Sequence, residues 1–286
     1  MNTDPVLDEL RGQVAIVTGA GRGLGRATAL ALARAGARVG AVARSEEQLA
    51  ETVRGVREAG GEAVAVMADV SAAAAVERMA REVERTLGPV DLLVNNAGAI
   101  GPLGPMWEAD PGDWWHSVEV NLYGPYLCSC ALLPGMIERR RGRIINLSTS
   151  AATVAVAHMG AYVVAKTALT RFTENLAAEL INSGVSVFAI SPGTVRTAMT
   201  EYVLESEAGK KWLPWFRKLY DRGLDVPAEK TAQLVLQLAA GRADALSGRL
   251  IDVSDDLAKL LKRLDEVKSA DLYMLRVRKL DGENRK

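Results

Sequence analysis

The chain has 286 residues, 49% of them hydrophobic, with 35 Lys and Arg against 35 Asp and Glu. That length can bury a full core, and the even charge argues against an electrostatic grip on nucleic acid or on an anionic membrane. No apolar run reads as long enough to span a bilayer, and the opening MNTDPVLDELRG is polar and acidic, unlike a secretory signal.

In chain order, apolar runs at 13–18, 37–43, 62–68, 90–95, 142–148, 185–190 and 248–253 read as strands. Most are apolar on both faces, as in a parallel sheet covered on both sides. Amphipathic stretches such as GRATALALARAG, SEEQLAETVRGVREAG and SAAAAVERMAREVERTLG lie between them. This alternation predicts a single α/β domain over 1–286: a doubly wound parallel sheet of about seven strands with helices on both faces. Cys128 and Cys130 lie two apart in an expected helix, pointing in different directions, and no Cys/His metal set accompanies them. A reduced, cytoplasmic protein without a metal is expected.

The turn after the first strand is TGAGRGLG, residues 18–25. Glycines at 19, 21, 23 and 25 allow a tight turn and close approach of a ligand. The helix that follows offers free N–H groups and a positive dipole end to a phosphate. No Gly-Lys-Ser/Thr is present, which disfavours a nucleoside-triphosphate loop; a dinucleotide is the expected ligand. The second strand ends Val42-Ala43-Arg44-Ser45 with no carboxylate to take a ribose 2′-hydroxyl. Arg44 and Arg22 would instead pair with a 2′-phosphate, so NADP(H) is expected over NAD(H).

Further motifs follow in order: Asp69 after the third strand, Asn95-Asn96-Ala97-Gly98 after the fourth, then Asn121, Tyr162-x-x-x-Lys166 and Pro192-Gly193. Together with Thr18-Gly19-x-x-x-Gly23-x-Gly25, this ordered set resembles the compact, single-domain branch of the short-chain dehydrogenases/reductases, from about residue 10 to 255. The resemblance implies a Rossmann-type fold, a nicotinamide cofactor and interconversion of carbonyls and alcohols, commonly in a homodimer or homotetramer. It also implies that Gly19, Gly21, Arg22, Gly23, Leu24, Gly25, Arg44 and Ser45 hold the adenosine phosphates. Asp69 and Val70 would hold the adenine, and Asn95, Ala97 and Gly98 the ribose. Pro192, Gly193, Val195 and Thr197 would pack near the nicotinamide. Asp69 could equally cap a helix, and the asparagines could be turn residues.

The chemistry rests on Tyr162 and Lys166, one helical turn apart and so on one face. A tyrosine with its ordinary pKa of about 10 needs help to work near neutrality. A lysine ammonium beside it, together with the positive nicotinamide ring, is expected to lower that value. By the resemblance, Lys166 also bonds the cofactor ribose and Asn121 is a relay that holds a water. The carbonyl donor falls on Thr149, both counting from Asn146-Leu147-Ser148-Thr149 and counting thirteen back from Tyr162, where the family usually has serine. A one-residue shift would select Ser148 or Ser150 instead.

The aromatic-rich segment 197–223, with Trp212, Trp215, Phe216 and Tyr220, reads as a lid over an apolar pocket or as one small packed helix. His158, near the expected pocket mouth, reads as a structural residue, and Trp114 and Trp115 as packing residues or an oligomer contact. Past the last strand, Val253-Ser254-Asp255-Asp256-Leu257 replaces the family's Asp-Gly-Gly, and 254–286 reads as an added helix with a solvated basic tail (Arg276, Arg278, Lys279, Arg285, Lys286). The expected function is NADP(H)-dependent ketone or aldehyde reduction, or the reverse, on a mostly apolar small molecule. The alternatives are a 3-oxoacyl thioester reductase and a non-catalytic dinucleotide-binding regulator.

Overall fold

A computed structural model describes residues 9–278. The opening residues 1–8 and Lys279, Arg285 and Lys286 of the tail lie outside the described residues. Seven parallel strands form one sheet: β1 (Val14–Thr18), β2 (Arg38–Ala43), β3 (Ala63–Met67), β4 (Leu92–Asn95), β5 (Gly142–Leu147), β6 (Val185–Ser191) and β7 (Leu250–Asp252). Their order across the sheet is β3-β2-β1-β4-β5-β6-β7, so the direction of winding reverses between β1 and β4. Ligands in such sheets bind beyond the strand carboxyl ends at that reversal.

The alternation of side chains along each strand feeds two cores. Ala15 and Val17 of β1 join Leu32, Phe188 and Leu238 on one face, while Val14 and Ile16 join Met79, Leu132 and Met136 on the other. The first face is covered by α1 (Gly23–Arg34), α2 (Glu46–Glu58) and, later in the chain, residues 228–239. The second is covered by α3 (Ala73–Leu87) and by helices from 111–138 and 160–179.

α4 (Pro111–Val118), a π-helical turn (Glu119–Tyr123) and α5 (Gly124–Glu138) run on as one helix. An 18-residue window within Pro111–Glu138 reaches a mean hydropathy of 1.2, so by length and composition alone this helix could cross a membrane, against the expectation that no run would. Its packing explains the composition: Cys128, Leu132 and Met136 sit in the core against the sheet. Cys128 is buried and Cys130 exposed, and they are not bridged.

α6 (Gly160–Glu179) follows β5 and carries Tyr162 and Lys166. The 197–223 segment is neither a bare loop nor one helix but three: α7 (Ala198–Glu205), α8 (Glu207–Trp212) and α9 (Pro214–Asp221). Ser206 ends α7 and caps α8, accepting from Gly209 N at 3.0 Å, and Pro214 starts α9. Val203, Leu213 and Phe216 bury themselves with Met159 in a third apolar cluster. α10 (Ala228–Ala239) leads to β7, and α11 (Leu257–Lys262) and α12 (Leu264–Ser269) close the chain.

The tail is not a solvated end over its described part. Leu250 N on β7 donates to Tyr273 O at 2.9 Å, so the chain folds back over the outer edge of the sheet. Glu174, 5% exposed on α6, accepts from Leu275 N at 2.6 Å and from Arg276 Nη1 at 3.1 Å, and also pairs with Arg171. A buried carboxylate needs such partners, and the tail supplies two of them.

Candidate active site

A cleft of about 670 Å³ opens at the carboxyl ends of β1, β2, β4 and β5. Its floor is the glycine turn. Gly19 (φ 65°) and Gly23 (φ 54°) take left-handed conformations, and a Cβ on Gly25 would lie 2.2 Å from Gly19 O. Arg26 locks this turn from below, donating through Nε to Gly21 O at 3.0 Å. Asn96 clamps it from the side, donating through Nδ2 to Thr18 O at 2.8 Å, while Asn96 N and Ala97 N each donate to Thr18 Oγ1 at 3.0 Å. α1 has no side-chain N-cap and no acid in its first turn, which leaves its first N–H groups facing the cleft for an anion.

The cleft gathers Gly19, Gly21, Arg22, Gly23, Leu24, Gly25, Arg44, Ser45, Asp69, Val70, Ala97, Gly98, Ser148, Tyr162, Lys166, Pro192 and Thr197. Arg22 and Arg44 are exposed there, and neither guanidinium has an ion pair or hydrogen bond among the described residues. Asp69 accepts from Ser71 Oγ at 2.6 Å and Ser71 N at 2.9 Å; those bonds hold its carboxyl below the usual range, helped by Arg44.

Five expected residues lie off the wall. Asn95 is buried inside the sheet, donating to Asn146 Oδ1 at 2.9 Å, because alternation along β4 turns it away and turns Asn96 toward the glycine loop. Gly193 (φ 71°) makes a turn in which a Cβ would meet Val226 at 2.8 Å, and Val195 is buried, its carbonyl accepting from Thr200 Oγ1. Asn121 is fully buried in the π-helical turn, with Nδ2 donating to Ala99 O at 2.6 Å and Ser117 O at 2.8 Å. Its side chain is committed to those partners, so a water held by this residue would have to use its backbone carbonyl. Thr149, the fifth, is half-buried with its hydroxyl beside the Tyr162 phenol.

The two hydroxyls of the 148–149 pair point to different partners. Ser148 Oγ is buried against α6, 3.2 Å from Lys166 O and 2.7 Å from Thr170 Oγ1. The protein around Tyr162 pushes its phenol up to about 12, and hydrogen bonding to Thr149 only partly offsets this. Burial pulls Lys166 down to about 7, while its Nζ donates to Leu147 O at 2.6 Å. The expected lowering of the phenol, by the ammonium together with the nicotinamide ring, is not what the protein groups produce by themselves. Desolvation moves both groups toward their neutral forms, with Nζ 5.8 Å from the ring centroid.

Sequence reading did not single out His116, Gln48, Met199 or Tyr202, which also wall the cleft. A Cβ on Gly21 would meet Gln48 Oε1 at 2.9 Å, a packing relation with no motif to mark it. None of the four aromatics expected to close the pocket lines this cleft. Phe216 is in the third cluster, Trp215 is 42% exposed, and Tyr220 lies under Arg196 at 5.0 Å. Trp212 packs against His158 with the rings tilted by 38° and their centroids 4.6 Å apart.

Residues 13–208 match the family model of short chain dehydrogenases. The chain belongs to that family. It is 37% identical over 269 residues to a short chain dehydrogenase of Pseudocercospora fijiensis, covering 90% of this chain and 85% of that one. It is 36% identical over 248 residues to the galactitol 2-dehydrogenase of Rhizobium johnstonii, covering 85% and 94%. Among solved structures it resembles a variant of actinorhodin polyketide ketoreductase with NADPH, at TM-score 0.77, with 32% identity and 86% and 97% coverage. A metagenomic short-chain oxidoreductase in complex with NADP gives TM-score 0.68 and 35% identity, covering 81% and 92%. Family and relatives alike make this chain an oxidoreductase.

Proposed function

We propose that the chain reduces a ketone or aldehyde on a mostly apolar small molecule, using NADP(H) in preference to NAD(H). The observation that carries the reading is Tyr162: a phenol kept protonated at neutral pH, beside Thr149 and one turn from Lys166, at the mouth of a glycine-floored cleft. The glycine turn, the uncapped start of α1 and the unpaired Arg22 and Arg44 fit a dinucleotide with a 2′-phosphate. Two of the solved relatives are complexes with NADPH and NADP, which supports the same choice.

The bound nicotinamide supplies the hydride. Thr149 donates to the substrate oxygen and polarises the carbonyl. Tyr162 gives its Oη proton to the developing alkoxide, a transfer that a phenol held at about 12 is in the right state to make. Lys166, near 7, exchanges protons in the working range and returns one to Tyr162. The reverse direction, alcohol oxidation, runs the same groups backward. A 3-oxoacyl thioester would use the same site, and the ketoreductase among the solved relatives favours keeping that reading second.

The test is NADPH consumption by the purified protein against ketones, quinones and acyl thioesters. Turnover is expected, with Tyr162→Phe lowering kcat by roughly 10²–10⁴-fold while NADPH still binds. Binding without turnover of any substrate would replace the reductase with a regulator. NADH binding tighter than NADPH would remove the cofactor preference.

We also infer a homo-oligomer, a dimer or tetramer, in a reducing, cytoplasmic setting consistent with free Cys128 and Cys130. Tyr123, ending the π-helical turn, and Tyr126 of α5 stack at 5.9 Å, each more than two-fifths exposed, and Tyr126 meets Phe172 of α6 edge-on. Val164, on α6, is also exposed. Such an apolar face is what a second copy would cover. A monomer by sedimentation at micromolar concentration would overturn this.

A further inference from the structure

A second cavity, of about 200 Å³, lies beside the first turn of α6. Gly160 and Ala161 face it, while Tyr162 and Lys166 face the cofactor cleft, so the two spaces flank one helical turn. The loop after β4 lines both, with Ala99 and Ile100 on the cleft and Leu103 and Gly104 on the cavity. The cavity thus stands at the amino end of α6, where Gly160 and Ala161 immediately precede Tyr162.

We propose that this cavity is a substrate subsite for an uncharged, flat aromatic or polycyclic ring; the inference rests on the carbonyl-reductase reading of the cleft. Trp114 and Trp212 wall it, with Leu103 and Met106. Indole walls favour flat apolar groups through stacking and edge contacts. Trp212 is held in place by His158 at 4.6 Å and by Lys211 Nζ, 4.6 Å from its ring centroid. Two glycines let its walls come this close. A Cβ on Gly104 would lie 3.2 Å from Trp212 Nε1, and one on Gly160 would lie 2.5 Å from Met106 Cε. Trp114 Nε1 is buried with no hydrogen-bond partner among the described residues, a donor that a ring-borne oxygen would satisfy. Glu108 and Asp110 are exposed on the lining, so a carboxylate or phosphate on the distal part of the substrate is repelled.

The full-length protein with NADPH is assayed on cyclohexanone and on 1-tetralone, a ketone fused to an aromatic ring. The expected kcat/KM for tetralone is at least ~10-fold the higher. Trp212→Ala and Gly160→Ala are expected to lower that ratio at least ~5-fold, mainly through KM. Gly160→Ala guards against a misfolded Trp212→Ala, since its methyl meets only the flexible end of Met106. Tryptophan emission quenched by tetralone without NADPH, and less so in either variant, supports the subsite independently of turnover. Equal kcat/KM for the two ketones, or a ratio unchanged in both folded variants, overturns the subsite and leaves carbonyl reduction standing. No turnover of either ketone, with quenching by tetralone intact, sinks the reductase reading while the ring site survives.

Discussion

Lys166 Nζ donates to the carbonyl oxygen of Leu147 at 2.6 Å, which pins the second turn of α6 to the last residue of β5. The bond fixes where the amine stands, and its burial decides how it titrates.

That burial sets a pH dependence with a definite sign. Lys166 falls from 10.5 in the unfolded chain to about 7 in the folded one. Between those values the unfolded chain holds the proton and the folded chain has released it, so stability rises with pH across that window. Below about 7 both states carry the charge and the folded state bears the full desolvation cost. Denaturant unfolding of the wild type at pH 7, 8 and 9 is expected to show the rise, and Lys166→Met to flatten it. A flat wild-type profile would contradict the assignment.

The two hydroxyls beside the site should separate cleanly. Thr149→Ala is expected to cost roughly 10²-fold or more in kcat with little change in unfolding midpoint. Ser148→Ala removes a hydroxyl bonded to Lys166 O and Thr170, and is expected to cost about 1–2 kcal/mol of stability. Full turnover in Thr149→Ala alongside a dead Ser148→Ala would reverse the register.

Arg44 faces the cleft with no ion pair or hydrogen bond among the described residues. Arg44→Glu is expected to raise the KM for NADPH by about 10-fold or more and to leave that for NADH within about 3-fold, as for a lost charge-assisted bond worth about 1.5–3 kcal/mol. Equal losses for both cofactors would mean the guanidinium reads something other than a 2′-phosphate.

Arg276 bonds a carboxylate that is otherwise sealed in protein. Arg276→Ala is expected to cost about 1–3 kcal/mol of stability, read as a lower denaturant midpoint at unchanged slope. Arg276→Lys should recover part of it. No change in midpoint would mean that Arg171 alone satisfies Glu174.

The sheet was readable because strands buried on both faces are runs of Val, Ile, Leu and Ala, and each of the seven lies within two residues of its expected ends. The glycine turn and the Tyr162–Lys166 spacing were readable because local geometry demands those residues in that order. Long-range facing was not. Whether Asn95 or Asn96 reaches the glycine loop depends on the pleat of β4, whereas Thr149, on which two counts agreed, is the hydroxyl beside Tyr162. The three-helix division of 197–223 had signals in Ser206 and Pro214, which aromatic content obscured. Arg276 looked like a tail charge because its partner, Glu174, stands a hundred and two positions earlier.

The fold-back at Tyr273 makes the two rims of the sheet unequal. At one rim the backbone at Tyr273 bonds to β7; at the other, among the described residues, β3 pairs only with β2 and exposes Met67. Strand-by-strand growth of misassembled chains can therefore recruit freely from one side alone. A lysine placed outward on β3 is the economical way to keep heated or concentrated protein in solution.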